Sequence, residues 1–429
     1  MRYILLLRPI GFLILTAAAA AGAPERPLKT AGRGELRLDP AALDRAGLAV
    51  AWDLDLGLSR IEQIETLSLV DASVYAVTDR GKLYAVRADT GVTQWQVTVA
   101  DPGCEVFPPT HAAGGAGPAD VVVTLLTRVV FLDPATGREK QNVRLDAPAS
   151  ASAVADPVSI YASLATQRIG AYSRKDGHPS WVTGAGSTIA TRPWMLADRV
   201  IFASDNGRLI AASMEKAAEL WTFHLEGVAV EPMFATSHDV VITTTGRYVY
   251  SIDPMASETS GGRVRWRYRL HDRPEEGAAV AGDAVYQCDP RQGFLVLDRE
   301  SGRLRRVLRD GRRLLARGRG FSYILGKDDS LLVMNDADGR VSATLPITGL
   351  HFAPINNRYD AVYLADRKGR IVCVRPRNAP PVTSGDMLGP TTTAPAATQK
   401  VGNTVAPLEG GKGVSEAARQ GDPLRSEQP

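Results

Sequence analysis

Cysteine is scarce in this chain. Cys104, Cys288 and Cys373 are odd in number and far apart, which excludes a disulfide framework and leaves room for at most one bridge. They build neither a C-x-x-C-H haem site nor a paired C-x-x-C metal site. Histidine is equally thin: His111, His178, His224, His238, His271 and His351 lack the i, i+4 or close-paired spacing of a zinc site. Nucleophile elbow, glycine-rich phosphate loop and clustered acid pair are all missing. Asp205, Asp328, Asp329 and Asp366 fall in or near hairpin turns, where aspartate favours the turn itself. Calcium ligands drawn from distant segments would converge only in space and leave no mark in the spacing. Charge of one sign is lacking too. With 50 Lys and Arg against 47 Asp and Glu, no global field points to nucleic acid or to an acidic substrate.

The two ends carry legible signals. Met1, Arg2 and Arg8 are followed by a mostly apolar stretch from Ile10 to Thr16 and by alanines from Ala17 to Ala21. That order is a secretory signal peptide, residues 1–21, with cleavage expected after Ala21. The apolar stretch is shorter than the roughly 20 residues that span a bilayer. No second long apolar run follows, so the mature chain is expected to be exported and not membrane-spanning. No cysteine ends the apolar stretch, which argues against a lipid anchor. Residues 22–46 read as an N-terminal arm, with a short helical turn at Asp39 to Ala46. Residues 378–429, rich in Pro, Thr, Ala and Gly, bury too little apolar surface to offset their ordering entropy and read as a disordered tail.

Between the ends, a block of about 40 residues recurs. Its first copy runs from Val74 through the Asp79-Arg80-Gly81 turn, then Ala88-Asp89-Thr90-Gly91, to a strand opening at Trp95. Glycine at these turns tolerates the left-handed backbone that tight hairpins require. Further copies begin at Val121, Ile160, Val200, Val240, Val285, Phe321 and Ala361. Strands such as Trp221-Thr-Phe-His-Leu and Trp266-Arg-Tyr-Arg-Leu alternate apolar and polar residues, the mark of one buried face. The eighth copy stops after its second strand, while an orphan strand, Trp52-Asp-Leu-Asp-Leu56, stands before the first. The strand near Trp52 is therefore expected to complete the last blade and close the ring, so that no strand edge is left open there. The fold expected over residues 47–377 is all-β: an eight-bladed β-propeller of four-stranded antiparallel blades.

The recurring Ala-x-Asp-x-x-Thr-Gly-x-x-x-Trp pattern resembles the pyrroloquinoline-quinone-type propeller repeat. Ala85, Thr90, Gly91 and Trp95 carry it, as do Asp133, Thr136 and Gly137; Ala171, Gly177 and Trp181; Ala211 and Trp221; Asp253, Gly262 and Trp266; and Asp298 and Gly302. One branch of that superfamily comprises quinone- and calcium-dependent dehydrogenases. The other is non-enzymatic and resembles the outer-membrane assembly factor B. This chain looks like the second branch, being shorter than typical quinoprotein dehydrogenases and without their adjacent cysteine pair. The resemblance implies no cofactor and a periplasmic or envelope-associated interaction scaffold, with the dehydrogenase and a glycan or small-ligand module as alternatives.

Trp52, Trp95, Trp181, Trp221 and Trp266 share one repeat position and are expected to dock each blade on the next. Trp194, beside Pro193 and off that register, is the one tryptophan expected at the surface. The strongest polar signal is an arginine run: Arg303, Arg305, Arg306, Arg309, Arg312, Arg313, Arg317 and Arg319, with Arg263, Arg265, Arg267 and Arg269 on the preceding blade. Dense guanidinium groups suit carboxylate or phosphate recognition. The expected partner is a protein of the envelope or periplasm, presenting an acidic segment. Lipopolysaccharide and an acidic glycan stand beside it, and a merely solvated loop is the plain alternative. A monomer that binds no nucleic acid is expected.

Overall fold

The computed structural model describes residues 35–113, 118–189, 191–256 and 263–382. The expected signal peptide, the tail beyond residue 382 and Gly262 lie outside the described residues. What is described folds into eight antiparallel sheets, arranged as an eight-bladed β-propeller. Blade one comprises Ile64–Val70, Ser73–Thr78, Lys82–Arg87 and Thr93–Thr98, in that order from the axis outward. The same plan recurs over residues 110–144, 154–184, 194–224, 229–269, 279–308 and 311–348.

The eighth blade is assembled from both ends of the ring. Val362–Ala365 and Arg370–Pro376 pair with each other, and Leu48–Asp55 adds outside them, Trp52 lying opposite Cys373. The strand expected to close the ring does so. A fourth, innermost contact comes from the loop before the blade, where Phe352 bridges to Ala365. The arm also takes part in the ring. Arg37–Leu38 pairs with the outer strand of blade seven as a fifth strand. A helix, Pro40–Arg45, follows, its first turn capped by the Asp39 side chain.

The core is divided among the seams between blades. Each of eight hydrophobic clusters joins side chains of two neighbouring sheets. Every outer strand carries a register shift just before its docking position, for example between Glu139 and Gln141, or between Val50 and Trp52. A bulge of this kind bends the strand and re-aims one side chain. Here it turns the docking residue onto the next blade.

The five docking tryptophans do more than fill space. Their indole N–H groups donate to a backbone carbonyl in a turn of the following blade: Trp52 to Ala88, Trp95 to Pro134, Trp181 to Met214, Trp221 to Pro254 and Trp266 to Arg299, at 2.7–3.2 Å. The turn glycine of the repeat lies beneath the ring. At Gly137 (φ +69°) a Cβ would stand 2.6 Å from the Trp95 indole, so close approach and left-handed backbone both require glycine.

Candidate interaction surface

Arg303, Arg305, Arg306, Arg309, Arg312, Arg313, Arg317 and Arg319 do not form one patch. Leu304–Leu308 is the outer strand of blade six, and Gly311–Gly318 is the innermost strand of blade seven. The run therefore crosses the ring from rim to axis and then follows the axis from one face to the other. Arg309 ends at one face and Arg319 at the opposite one.

Arg306 stands at the docking position of its blade, opposite Val296. It is the counterpart of the tryptophans, and its guanidinium donates to the Ala337 carbonyl at 2.8 Å. Arg305 bridges Asp283 and Asp298. Arg317 reaches Asp283 at 2.8 Å and Asp336 at 3.0 Å. Arg312 pairs with Asp329, Arg313 with Glu276 and Arg319 with Asp360. Arg309 is exposed and forms no ion pair with a carboxylate among the described residues.

Trp194 is buried, with 6% of its surface exposed, which corrects the expectation of a surface residue. It lies on the innermost strand of blade four, opposite Ile201, in the row that continues through Ala211 to Trp221. Blade four thus carries a tryptophan at each end of one row. Arg192 stacks on the Trp194 indole at 4.4 Å. Burial pushes the Arg192 guanidinium down to about 10, against the pull of Glu231.

Sequence reasoning missed a second set of residues. In six blades an aspartate in the turn between the first two strands, or just before the second, pairs with an arginine of a neighbouring blade or of its own. Asp71 holds His111 of blade two at 2.7 Å and Arg358 of blade eight at 2.9 Å. Asp120 meets Arg174 of blade three, and Asp239 is clamped by both ends of the Arg299 guanidinium at 2.8 and 2.5 Å. Asp198 pairs with Arg199, Asp283 with Arg305 and Arg317, and Asp360 with Arg319. Burial opposes ionisation of Asp71 and Asp239, yet the cationic partners hold both carboxyls below the ordinary range. Asp360 goes the other way: burial raises it, and Arg319 and Arg375 offset that only in part. Part of the signal was present in the sequence: Asp71, Asp198, Asp239, Asp283 and Asp360 each stand two or three residues before a Val-Tyr or Val-Ile pair.

The exposed cations that the fold does bring together come from several loops on one face, the face of the turns between second and third strands. Leu270 N–H bonds the Arg247 carbonyl and Tyr248 lies opposite Arg269, which sets Arg247 beside Arg269. His271 N–H bonds Asp289, whose other oxygen accepts from Arg291 N–H. A Cβ at Gly293 would meet the Arg309 Cα at 3.0 Å, and Lys327 N–H bonds the Asp310 carbonyl. The result is a continuous crescent across blades five, six and seven. Arg247, Arg269, Arg273, Arg309 and Lys327 are exposed along it, and none forms an ion pair with a carboxylate among the described residues. Arg291, three-quarters exposed, pairs with Asp272.

Among the described residues, no group of three or more His, Cys, Asp and Glu side chains is placed to hold a metal. Likewise no helix among them is long and apolar enough to cross a membrane. Burial pushes the Cys288 thiol up to about 11 and the Cys373 thiol up to about 12, the opposite of what a reactive thiolate requires.

A family model described as outer membrane protein assembly factor BamB matches residues 40–223 and 165–256. No protein with curated function matches the sequence. Among solved structures, the crystal structure of BamB from Moraxella catarrhalis aligns with a TM-score of 0.56 at 15% identity, covering 78% of this chain and 99% of that one. The computationally designed Ika8 protein aligns with a TM-score of 0.54 at 13% identity, covering 72% and 95%. At such identities these likenesses speak for the fold alone.

Proposed function

We propose that this chain, which belongs to the outer membrane protein assembly factor BamB family through a match running from residue 40 to residue 256, is an exported, non-catalytic scaffold that binds proteins of the cell envelope. The family supplies the setting, and the amino-terminal Arg-apolar-Ala pattern supplies the export signal. The observation that carries the reading is where the reactive side chains go. Most of the turn aspartates, the tyrosines Tyr75, Tyr161, Tyr286 and Tyr363, and four of the eight arginines of the run (Arg306, Arg313, Arg317 and Arg319) are engaged across seams. Tyr75 bonds His111, Tyr161 the Met214 carbonyl, Tyr286 Ser322 and Tyr363 the Ala88 carbonyl. Groups held in that way serve the ring, and what faces outward is loop surface suited to recognition.

The test is photo-crosslinking in cells that produce the full chain. A photoreactive residue replaces Arg309, Thr166 or Val92, one position at a time. The scaffold reading expects discrete adducts with envelope proteins from some positions and not from others. Adduct-free protein at all three positions, together with a saturable thermal shift on adding pyrroloquinoline quinone and calcium, would replace it with the dehydrogenase reading.

A further inference from the structure

We propose that the crescent of Arg247, Arg269, Arg273, Arg309 and Lys327 is the docking surface for an extended acidic segment of a partner protein. The inference rests on the scaffold reading and assigns it a surface and a partner chemistry. Elsewhere in the ring, guanidinium groups meet carboxylates of the same chain: Arg174 with Asp120, Arg299 with Asp239, Arg305 with Asp283, Arg370 with Asp53. The five crescent cations are exposed and have no such partner among the described residues. Exposed cations that no carboxylate of the chain engages attract carboxylates of a partner and speed encounter.

Two features favour a polypeptide over an anionic lipid surface. First, carboxylates are interleaved with the cations: Asp272 beside Arg273 and Asp310 beside Arg309, with Asp272 bonded to Arg291 at 3.1 Å. A dense sheet of phosphates would press on these acids, whereas a chain with spaced carboxylates threads between them. Second, arginine outnumbers lysine here, and the planar guanidinium fork matches a single carboxylate in bidentate geometry. In an extended segment, alternate side chains lie on one face about 6.6–6.8 Å apart. Arg247 in the turn before Tyr248, Arg269 at the end of the adjacent strand, and Arg309 just past the outer strand of the next blade offer a row of sites to such a face.

The experiment uses the purified full chain and a fluorescent twelve-residue peptide of alternating Asp and Ser, read by anisotropy. Vesicles of mixed phosphatidylethanolamine and phosphatidylglycerol serve as the second probe. Saturable peptide binding that weakens as salt is raised is expected. The double substitution Arg269→Glu, Arg309→Glu should weaken it at least tenfold. Arg138→Glu with Arg340→Glu, exposed on the opposite face, should change it less than twofold. The milder Arg269→Gln, Arg309→Gln pair, checked for an unchanged melting temperature, guards against misfolding of the reversal variant. Absence of peptide binding, equal loss in both double variants, or binding of vesicles in preference to peptide each overturns the proposal. If cross-links in cells then map to Thr166 or Val92 and not to Arg309, the scaffold stands and the crescent falls.

Discussion

Five seams of the ring close on a tryptophan and three do not, and the two groups differ in more than one residue. Where the outer strand carries Trp, its cross-strand neighbour on the third strand is small: Ala85, Ala171, Ala211, Ser251 and Cys373 lie opposite Trp95, Trp181, Trp221, Trp266 and Trp52. Where tryptophan is absent, the neighbour grows. Phe131 lies opposite Gln141, Val296 opposite Arg306 and Val333 opposite Ala343. The seam conserves volume and lets its chemistry vary, as expected of interiors packed to near-crystalline density. The polar duties are covered separately. Arg306 replaces the indole donor, and in the seam after blade two Arg174 stacks on Phe131 at 4.2 Å. In the seam after blade seven the amino-terminal arm takes over. Leu36, Ala42 and Leu43 are buried there with Leu345 and Ile347, over the position left short by Ala343.

The largest effect should therefore come from the arm. Leu36 is wholly buried, its N–H held by Asp366 at 3.0 Å, and Leu43 is 4% exposed. Each Leu→Ala substitution is expected to cost about 2–5 kcal/mol. The pair Leu36→Ala, Leu43→Ala should remove most of the cooperative unfolding transition, as measured by urea denaturation. A loss under 1 kcal/mol would mean that the seam closes without the arm.

Next comes the exchange of volume itself. Trp95→Ala is expected to cost about 3–5 kcal/mol, through both the cavity and the unpaired Pro134 carbonyl. If the comparison of seams is correct, Trp95→Gln combined with Ala85→Phe recovers part of that loss, because it transplants the Gln141–Phe131 solution. The coupling energy of that double-mutant cycle is the quantity to measure, and a value near zero would show that the paired sizes are coincidental.

How much of this could be read from the sequence follows from the same comparison. Ring order, blade count and the closing strand at Trp52 were legible, because tryptophan and the Thr-Gly turn repeat at fixed spacing. The arm was not. Leu36 and Leu43 sit in a short segment with no repeat partner, and their burial depends on a gap at Ala343 some 300 residues away. The arginine run misled for a related reason. Eight arginines close in sequence look like one patch, but a strand that crosses from rim to axis scatters them, while Arg247, Arg269 and Lys327 arrive from separate blades. Trp194 lacked the sequence register of the other tryptophans and has it in space, through a row that only strand pairing reveals.

A smaller effect separates two glycines of the same repeat. Gly137→Ala meets the Trp95 ring at 2.6 Å, whereas at Gly177 in the tryptophan-free seam the nearest atom is Val143 Cγ1 at 3.3 Å. Both have φ near +70°, so both lose about 1–2 kcal/mol to left-handed backbone. Only Gly137→Ala adds displacement of an indole. Melting temperatures should fall further for Gly137→Ala, and equal falls would assign the whole cost to the backbone.

The smallest effect should be a gain, and its pH dependence identifies its source. Asp239, in a tryptophan seam, has its carboxyl held below the ordinary range, so it stabilises the fold at neutral pH and loses that contribution as acid protonates it. Asp360, in the seam closed by the arm, is raised by burial, with one carboxylate oxygen buried and without a hydrogen bond. For a raised carboxyl the sign reverses. The protonated form is preferred in the fold, so its contribution is present in acid and is lost as pH rises through the folded value. Asp360→Asn should then raise the melting temperature at pH 7, and that gain should shrink as the pH is lowered through the folded value of the wild-type carboxyl. Asp239→Asn should lower it at pH 7. If Asp360→Asn also lowered it at pH 7, the Arg319 ion pair at 3.3 Å would outweigh the desolvation of the buried carboxylate. The arm-closed seam would then be held electrostatically in the same way as the others.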